Sequence, residues 1–81
     1  MPRPSIHDQM YKRLCARMKA AREDAGLSQI EASRRLKKPL NFVNRLESGE
    51  RRLQILDLCV LANLYKKPLR YFLPETPSEN V

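Results

Sequence analysis

Between positions 37 and 52 the chain carries a dense set of side chains suited to nucleic-acid chemistry: Lys37, Lys38, Leu40, Asn41, Asn44, Arg45, Arg51 and Arg52. An asparagine amide can pair with adenine N6 and N7, a guanidinium with guanine O6 and N7, and a leucine can meet a thymine methyl. Cations that miss a base still hold phosphate, which positions a protein on a duplex without reading sequence. Other chemistries are poorly served. The single histidine, His7, has no nucleophile–base pair around it and no glycine-rich phosphate loop is present, so no catalytic residue is expected. Cys15 and Cys59 lack a second thiol or clustered histidines nearby, which argues against a metal site and for two reduced, partly buried core thiols. No cofactor and no small-molecule ligand are indicated.

To read bases, Leu40, Asn41, Asn44 and Arg45 must share one face of a helix, as residues three and four apart do. The pattern predicts that helix over 39–48. Pro39 suits a first turn, Phe42, Val43 and Leu46 make an apolar stripe, and Gly49 supplies the left-handed residue that ends it. Before it, Ser28 with Glu31 three residues on forms a capping box opening a short helix that runs to about position 36. Ser5 and Asp8 open a longer helix over 6–24, with Met10, Leu14, Met18 and Ala21 at helical spacing and Gly26 after its end. After the turn at 50–52, apolar residues from Leu53 to Leu64 nearly encircle a fourth helix, which predicts a central, buried element. Pro68 starts and Pro74 stops a fifth, short helix carrying Leu69, Phe72 and Leu73. The expected fold is all-α, five compact helices in a single domain over 6–73, between a basic arm at 1–5 and a disordered tail at 74–81.

Charge places the function in the N-terminal part. The chain has a formal net charge of +7, and all of that excess falls within residues 1–53, leaving the remainder balanced. Such an asymmetry draws polyanions to one end of the molecule. There is neither a charged-then-apolar leader nor an apolar run near the ~18 residues needed to span a bilayer, so a cytoplasmic location without membrane contact is expected.

Two short helices joined by a tight turn, between a longer first helix and an apolar fourth, resemble the Cro/repressor-type helix-turn-helix family, also called XRE, with a lambda-repressor-like domain. The residues that carry the resemblance are Arg22, Gly26-Leu27-Ser28-Gln29, Leu36, Val43, Arg45, Glu47, Gly49 and Arg51, together with the run Pro39-x-x-Phe42-Val43-x-x-x-Glu47-x-Gly49-Glu50-Arg51-Arg52-Leu53. Three positions depart from the pattern. Lys37 stands where the turn usually has glycine, Ala32-Ser33 replaces a leucine-alanine pair, and Lys66 replaces the glycine after the fourth helix. Lys37 must therefore hold a left-handed backbone or the turn must take another geometry.

The resemblance implies a sequence-specific regulator of transcription, a repressor, with its third helix in the major groove of double-stranded DNA. It implies that Ser28 and Gln29 contact the DNA backbone, a placement that also suits the free N–H groups at a helix start. It also implies that Arg22 and Glu47 pair across the core. Lys37, Lys38, Ser48, Arg51 and Arg52, with Arg3 of the arm, complete the expected phosphate contacts, and Arg45 can serve either a base or a phosphate. One recognition helix spans too few base pairs to single out a site, so a homodimer on a palindromic operator is expected, with Tyr65, Leu69, Tyr71, Phe72 and Leu73 as its surface. Alternatively Leu69, Phe72 and Leu73 close the monomer's own core. A rival reading makes the chain an antitoxin or adaptor whose domain mainly binds a toxin or other protein partner.

Overall fold

A computed structural model describes residues 5–74; the expectations for Arg3, the rest of the arm and the tail beyond Pro74 lie outside them. Four α-helices and one short 3-10 helix follow one another: α1 (Ile6–Asp24), α2 (Gln29–Arg35), α3 (Phe42–Ser48), α4 (Ile55–Tyr65) and η1 (Leu69–Tyr71). No strand occurs among the described residues.

Local chemistry sets the boundaries. Ser5 begins α1 as its cap, with its hydroxyl accepting from the Asp8 N–H at 3.0 Å. Ser28 caps α2 in the same way, accepting from the Glu31 N–H at 3.0 Å. Such an oxygen satisfies one of the N–H groups that a helix start leaves unpaired. Gly49 ends α3 with φ +83°, a region that costs a side-chain-bearing residue about 1–2 kcal/mol.

The two lysines at usual glycine positions both adopt the left-handed backbone, Lys37 and Lys66 each at φ 59°. Lys37 donates its N–H to the Arg34 carbonyl at 3.0 Å and Lys38 donates to that of Ser33 at 3.1 Å, which closes α2. Behind Lys66, the N–H of Lys67 bonds the Ala62 carbonyl at 3.0 Å.

Helix α3 starts three residues later than its sequence pattern suggests. The Phe42 N–H closes a turn onto the Pro39 carbonyl at 2.9 Å, while the Val43 N–H, which a continuing α-helix would send to that same carbonyl, goes to the Ser33 hydroxyl at 3.0 Å. Ser33 is fully buried and thereby does from α2 what a capping side chain would do from Asn41. Leu40 and Asn41 consequently sit in the turn before α3 and not on the helix.

The fifth helix is a single 3-10 turn. Between Pro68 and Pro74 there is room for little more than one turn, and the bonds Tyr71 N–H to Pro68, Phe72 N–H to Leu69 and Leu73 N–H to Arg70 are all of the tighter i to i+3 kind. It delivers Phe72 to the core, where that ring joins Met18, Leu46, Leu61 and Val43 as the largest fully enclosed side chains.

Helix α4 is not encircled by protein. Leu58, Leu61, Ala62 and Tyr65 are buried, but Ile55, Leu56, Cys59 and Val60 face solvent. Its apolar belt is wider than one packed face can use, and the excess stays outside. Cys59, expected to be partly buried, is therefore an exposed thiol, whereas Cys15 is half-buried with its Sγ 3.5 Å from the Leu46 carbonyl. Burial pushes the Cys15 thiol above its ordinary pKa, partly opposed by the positive charge of Arg52.

Candidate nucleic-acid interface

A chain of hydrogen bonds leads from the core to the outer side of α3. Arg22 donates through Nε to Glu47 Oε2 at 2.7 Å, through its second terminal nitrogen to Oε1 at 3.2 Å, and through the first to the Leu27 carbonyl at 2.7 Å. The two charged side chains are only 9% and 6% exposed. Glu47 Oε1 also accepts from Gln29 Nε2 at 3.0 Å, and Gln29 Oε1 in turn accepts from Asn44 Nδ2 at 3.1 Å. Each group satisfies the next, from the enclosed ion pair outward to the exposed Asn44 amide. The carboxylate of Glu47 raises the Arg22 pKa further above its usual value, against the opposing effect of burial, so the guanidinium stays charged.

Tyr65 lies close enough to feel both charges. Burial, and secondarily the negative charge of Glu47, push its phenol up to about 12. Its hydroxyl is buried with no hydrogen-bond partner among the described residues.

The cations gather beside the same helix. Lys38, Asn41, Arg45 and Arg51 line, with Pro39 and Phe42, an open cleft of about 250 Å3. The Lys38 ammonium lies 5.4 Å and the Arg51 guanidinium 5.2 Å from the centre of the Phe42 ring, so one aromatic residue steadies two positive charges. Arg45 Nε is 3.4 Å from Glu50 Oε2 without a hydrogen bond, and the Nε of Arg51 is also buried without one. Lys37 and Leu40 are exposed in the turn just before.

The other expected residues have structural duties. Ser28 is occupied in capping α2. The Ser48 hydroxyl donates to the Arg45 carbonyl at 3.2 Å and accepts from the Glu50 N–H at 3.3 Å, shaping the exit from α3. Arg52 turns toward α1, its guanidinium 4.4 Å from the Tyr11 ring centre. Of the residues expected on a dimer surface, Tyr65 is 3% exposed and Phe72 is wholly buried, so both belong to the monomer's core. Tyr71 is half-buried, edge-on to Phe72 and flanked by Arg17 and Lys67; Leu69 and Leu73 remain exposed.

Two supporting residues escaped the sequence reading. Tyr11 accepts the Leu53 N–H at 2.8 Å and donates to the Arg51 carbonyl at 3.4 Å, holding the basic 51–52 segment against α1. A polar-tipped aromatic beside the apolar stripe of α1 was its only signal. Ser33 was visible as a departure from the family pattern but not as a cap.

Among the described residues no group of three or more His, Cys, Asp or Glu could hold a metal ion, and no helix is long and apolar enough to cross a membrane. No curated protein and no solved structure gives a significant match to the chain. A family model described as helix-turn-helix matches residues 18–72, about two thirds of the length and inclusive of every element from mid-α1 to η1. That span contains the buried Arg22–Glu47 pair, both short helices and the turn between them. The chain is therefore a member of the helix-turn-helix family of Cro/repressor (XRE) type, a family of DNA-binding regulators.

Proposed function

We propose that the chain is a sequence-specific transcriptional regulator that sets α3 in the major groove and represses by occupying its operator. The observation that carries this reading is the chain from Arg22 through Glu47 and Gln29 to Asn44, which holds an exposed amide on α3 at a defined angle. With one Nδ2 hydrogen given to Gln29, Asn44 keeps Oδ1 and its second N–H for a base, the pair of groups that adenine N6 and N7 require. Asn41, relieved of capping by Ser33, offers a second free amide, and Leu40 an apolar contact.

The guanidinium groups of Arg45 and Arg51 share the cleft with Lys38, where Arg45 can meet a base edge or a phosphate and Arg51 a phosphate. Lys37, Arg52, Ser28, Ser48 and the N–H groups near them extend that backbone contact, with Gln29 supporting Asn44 from beneath. Two copies on a palindrome, with half-sites about 34 Å apart, double the number of bases read.

Selection of bound duplexes from a random pool, followed by affinity measurements on the winning site, tests the reading. Asn44→Ala should relax preference at one base position by ~1–3 kcal/mol, whereas Lys38→Ala should weaken selected and scrambled sites about equally. Affinity should also fall steeply with salt as displaced counterions accumulate. Salt-independent affinity, or loss of the same size from both variants on both sites, overturns it.

A further inference from the structure

The hydrogen-bond chain that leads out to α3 begins on a buried carboxylate, and that carboxylate gives the chain a direction. Glu47 takes two bonds from the Arg22 guanidinium, at 2.7 and 3.2 Å, and its oxygens can only accept. Any amide that meets it must present nitrogen. Gln29, half-buried at the start of α2, does so through Nε2 at 3.0 Å, which leaves Oε1 as its outward end. Asn44, exposed on α3, must then meet that oxygen with Nδ2, as it does at 3.1 Å. Turning Asn44 over would set two acceptors face to face, and turning Gln29 over would oppose two acceptors on one side and two donors on the other.

We infer that Gln29 is a specificity-determining residue: it passes the polarity of the buried ion pair to Asn44, so that Asn44 shows a base one fixed order of oxygen and N–H, reads adenine on one strand and rejects guanine. The inference rests on the proposed placement of α3 in the major groove. Adenine offers an acceptor at N7 and a donor at N6, whereas guanine offers acceptors at both N7 and O6. An Oδ1 that cannot turn away repels guanine O6; an amide free to turn over would give it a hydrogen instead. The order of N7 and N6 across the groove also reverses when adenine and thymine exchange strands, so a fixed amide tells those two pairs apart. Water decides when this matters. In the free protein solvent can relieve a badly turned Asn44, but against a base edge that excludes water the mismatch stands.

The chemistry at position 29 therefore sets the sign of the preference. A leucine there neither donates nor accepts, and releases Asn44 to take either orientation. A lysine only donates, to Glu47 on one side and to Asn44 on the other. Asn44 must then turn Oδ1 inward and show the base only the hydrogens of Nδ2, which suits the acceptors of guanine. Arg22 keeps both bonds to Glu47 in either variant, so the fold and its circular dichroism should be unchanged.

The test sets the base pair that Asn44→Ala relaxes to each of its four forms within the selected site and measures affinity. Wild type should prefer adenine to guanine there by roughly 10- to 100-fold. Gln29→Leu should bring adenine, guanine and the reversed pair to within about threefold of one another, and Gln29→Lys should favour guanine by about tenfold. Adding Asn44→Ala to Gln29→Lys should abolish that new preference, which separates a turned amide from a lysine that reads guanine itself. In the protein without DNA, one of the two Asn44 side-chain amide hydrogens should exchange more slowly than the other, a difference that Gln29→Leu should remove. An adenine preference that survives Gln29→Leu, a Gln29→Lys protein that does not favour guanine, a guanine preference that persists without Asn44, or equal exchange of both hydrogens in wild type overturns the inference and leaves the proposed function standing. If Asn44→Ala relaxes no position, the proposed function fails and this inference fails with it.

Discussion

Replacing Glu47 with alanine should be far more damaging than its single ion pair suggests. Arg22 is 9% exposed on its side chain and donates two bonds to that carboxylate. Without it the guanidinium keeps only the Leu27 carbonyl and remains charged, and an unpaired buried charge of this kind costs about 3–5 kcal/mol. A domain of this size has a total stability on the order of 5 kcal/mol and loses roughly 4–8 °C of melting temperature per kcal/mol, so Glu47→Ala should melt at least ~12 °C lower. Thermal and urea unfolding followed by circular dichroism measure this. The reasoning attributes the loss to the stranded charge and not to the pair itself. The double variant Arg22→Met, Glu47→Leu should therefore recover most of it, with a coupling energy of at least ~2 kcal/mol in the cycle. A loss under ~1 kcal/mol for Glu47→Ala, or additive losses in the double variant, would refute the argument.

Two further outcomes follow from single residues. Lys37 holds φ 59°, so Lys37→Gly should stabilise the fold by about 0.5–1 kcal/mol after the extra chain entropy of glycine is counted, while removing one exposed positive charge that the proposed function assigns to phosphate; a urea midpoint that rises together with a weaker, less salt-sensitive DNA affinity is the expected pair of readings. Tyr65 has a buried, unpartnered hydroxyl and a folded-state pKa of about 12, above its ordinary value of 10.0, so its contribution is complete below pH 10 and is lost as pH rises toward 12, amounting to about 2–3 kcal/mol. Tyr65→Phe should be neutral or stabilising by ~1 kcal/mol at pH 7 and should flatten the alkaline decline seen in unfolding curves from pH 9 to 12; an identical decline in both proteins counts against it.

Features governed by short-range chemistry were legible in the sequence. The caps at Ser5 and Ser28, the left-handed turns at Gly26 and Gly49, and the span of α1 all depend on residues within four positions of one another. The Arg22–Glu47 pair, 25 residues apart, could be anticipated only through the resemblance to a family. What failed to show were contacts between elements. Pro39 reads as a helix start, and nothing local reveals that Ser33 would take the Val43 N–H and delay α3 by three residues. The apolar belt of α4 reads as burial on all sides, because hydropathy counts how much surface is apolar and not how much neighbouring protein exists to cover it. Likewise Tyr65 and Phe72 are large enough to suggest an interface, and only the packing of η1 on α4 shows that the monomer consumes them.

The bond from the Val43 N–H to the Ser33 hydroxyl has a kinetic and calorimetric meaning. A seven-residue helix is too short to persist alone in water, and α3 is started by a group that belongs to α2. The two helices must then order and melt together as one cooperative unit, and amide exchange at Val43 should be no faster than at the centre of α2. Because α3 is complete before any duplex arrives, its encounter with DNA carries no folding cost for that helix. Association of these two helices can then proceed at the speed set by electrostatic steering, and they should add to the heat-capacity change on binding only through the area they bury, not through folding of their own.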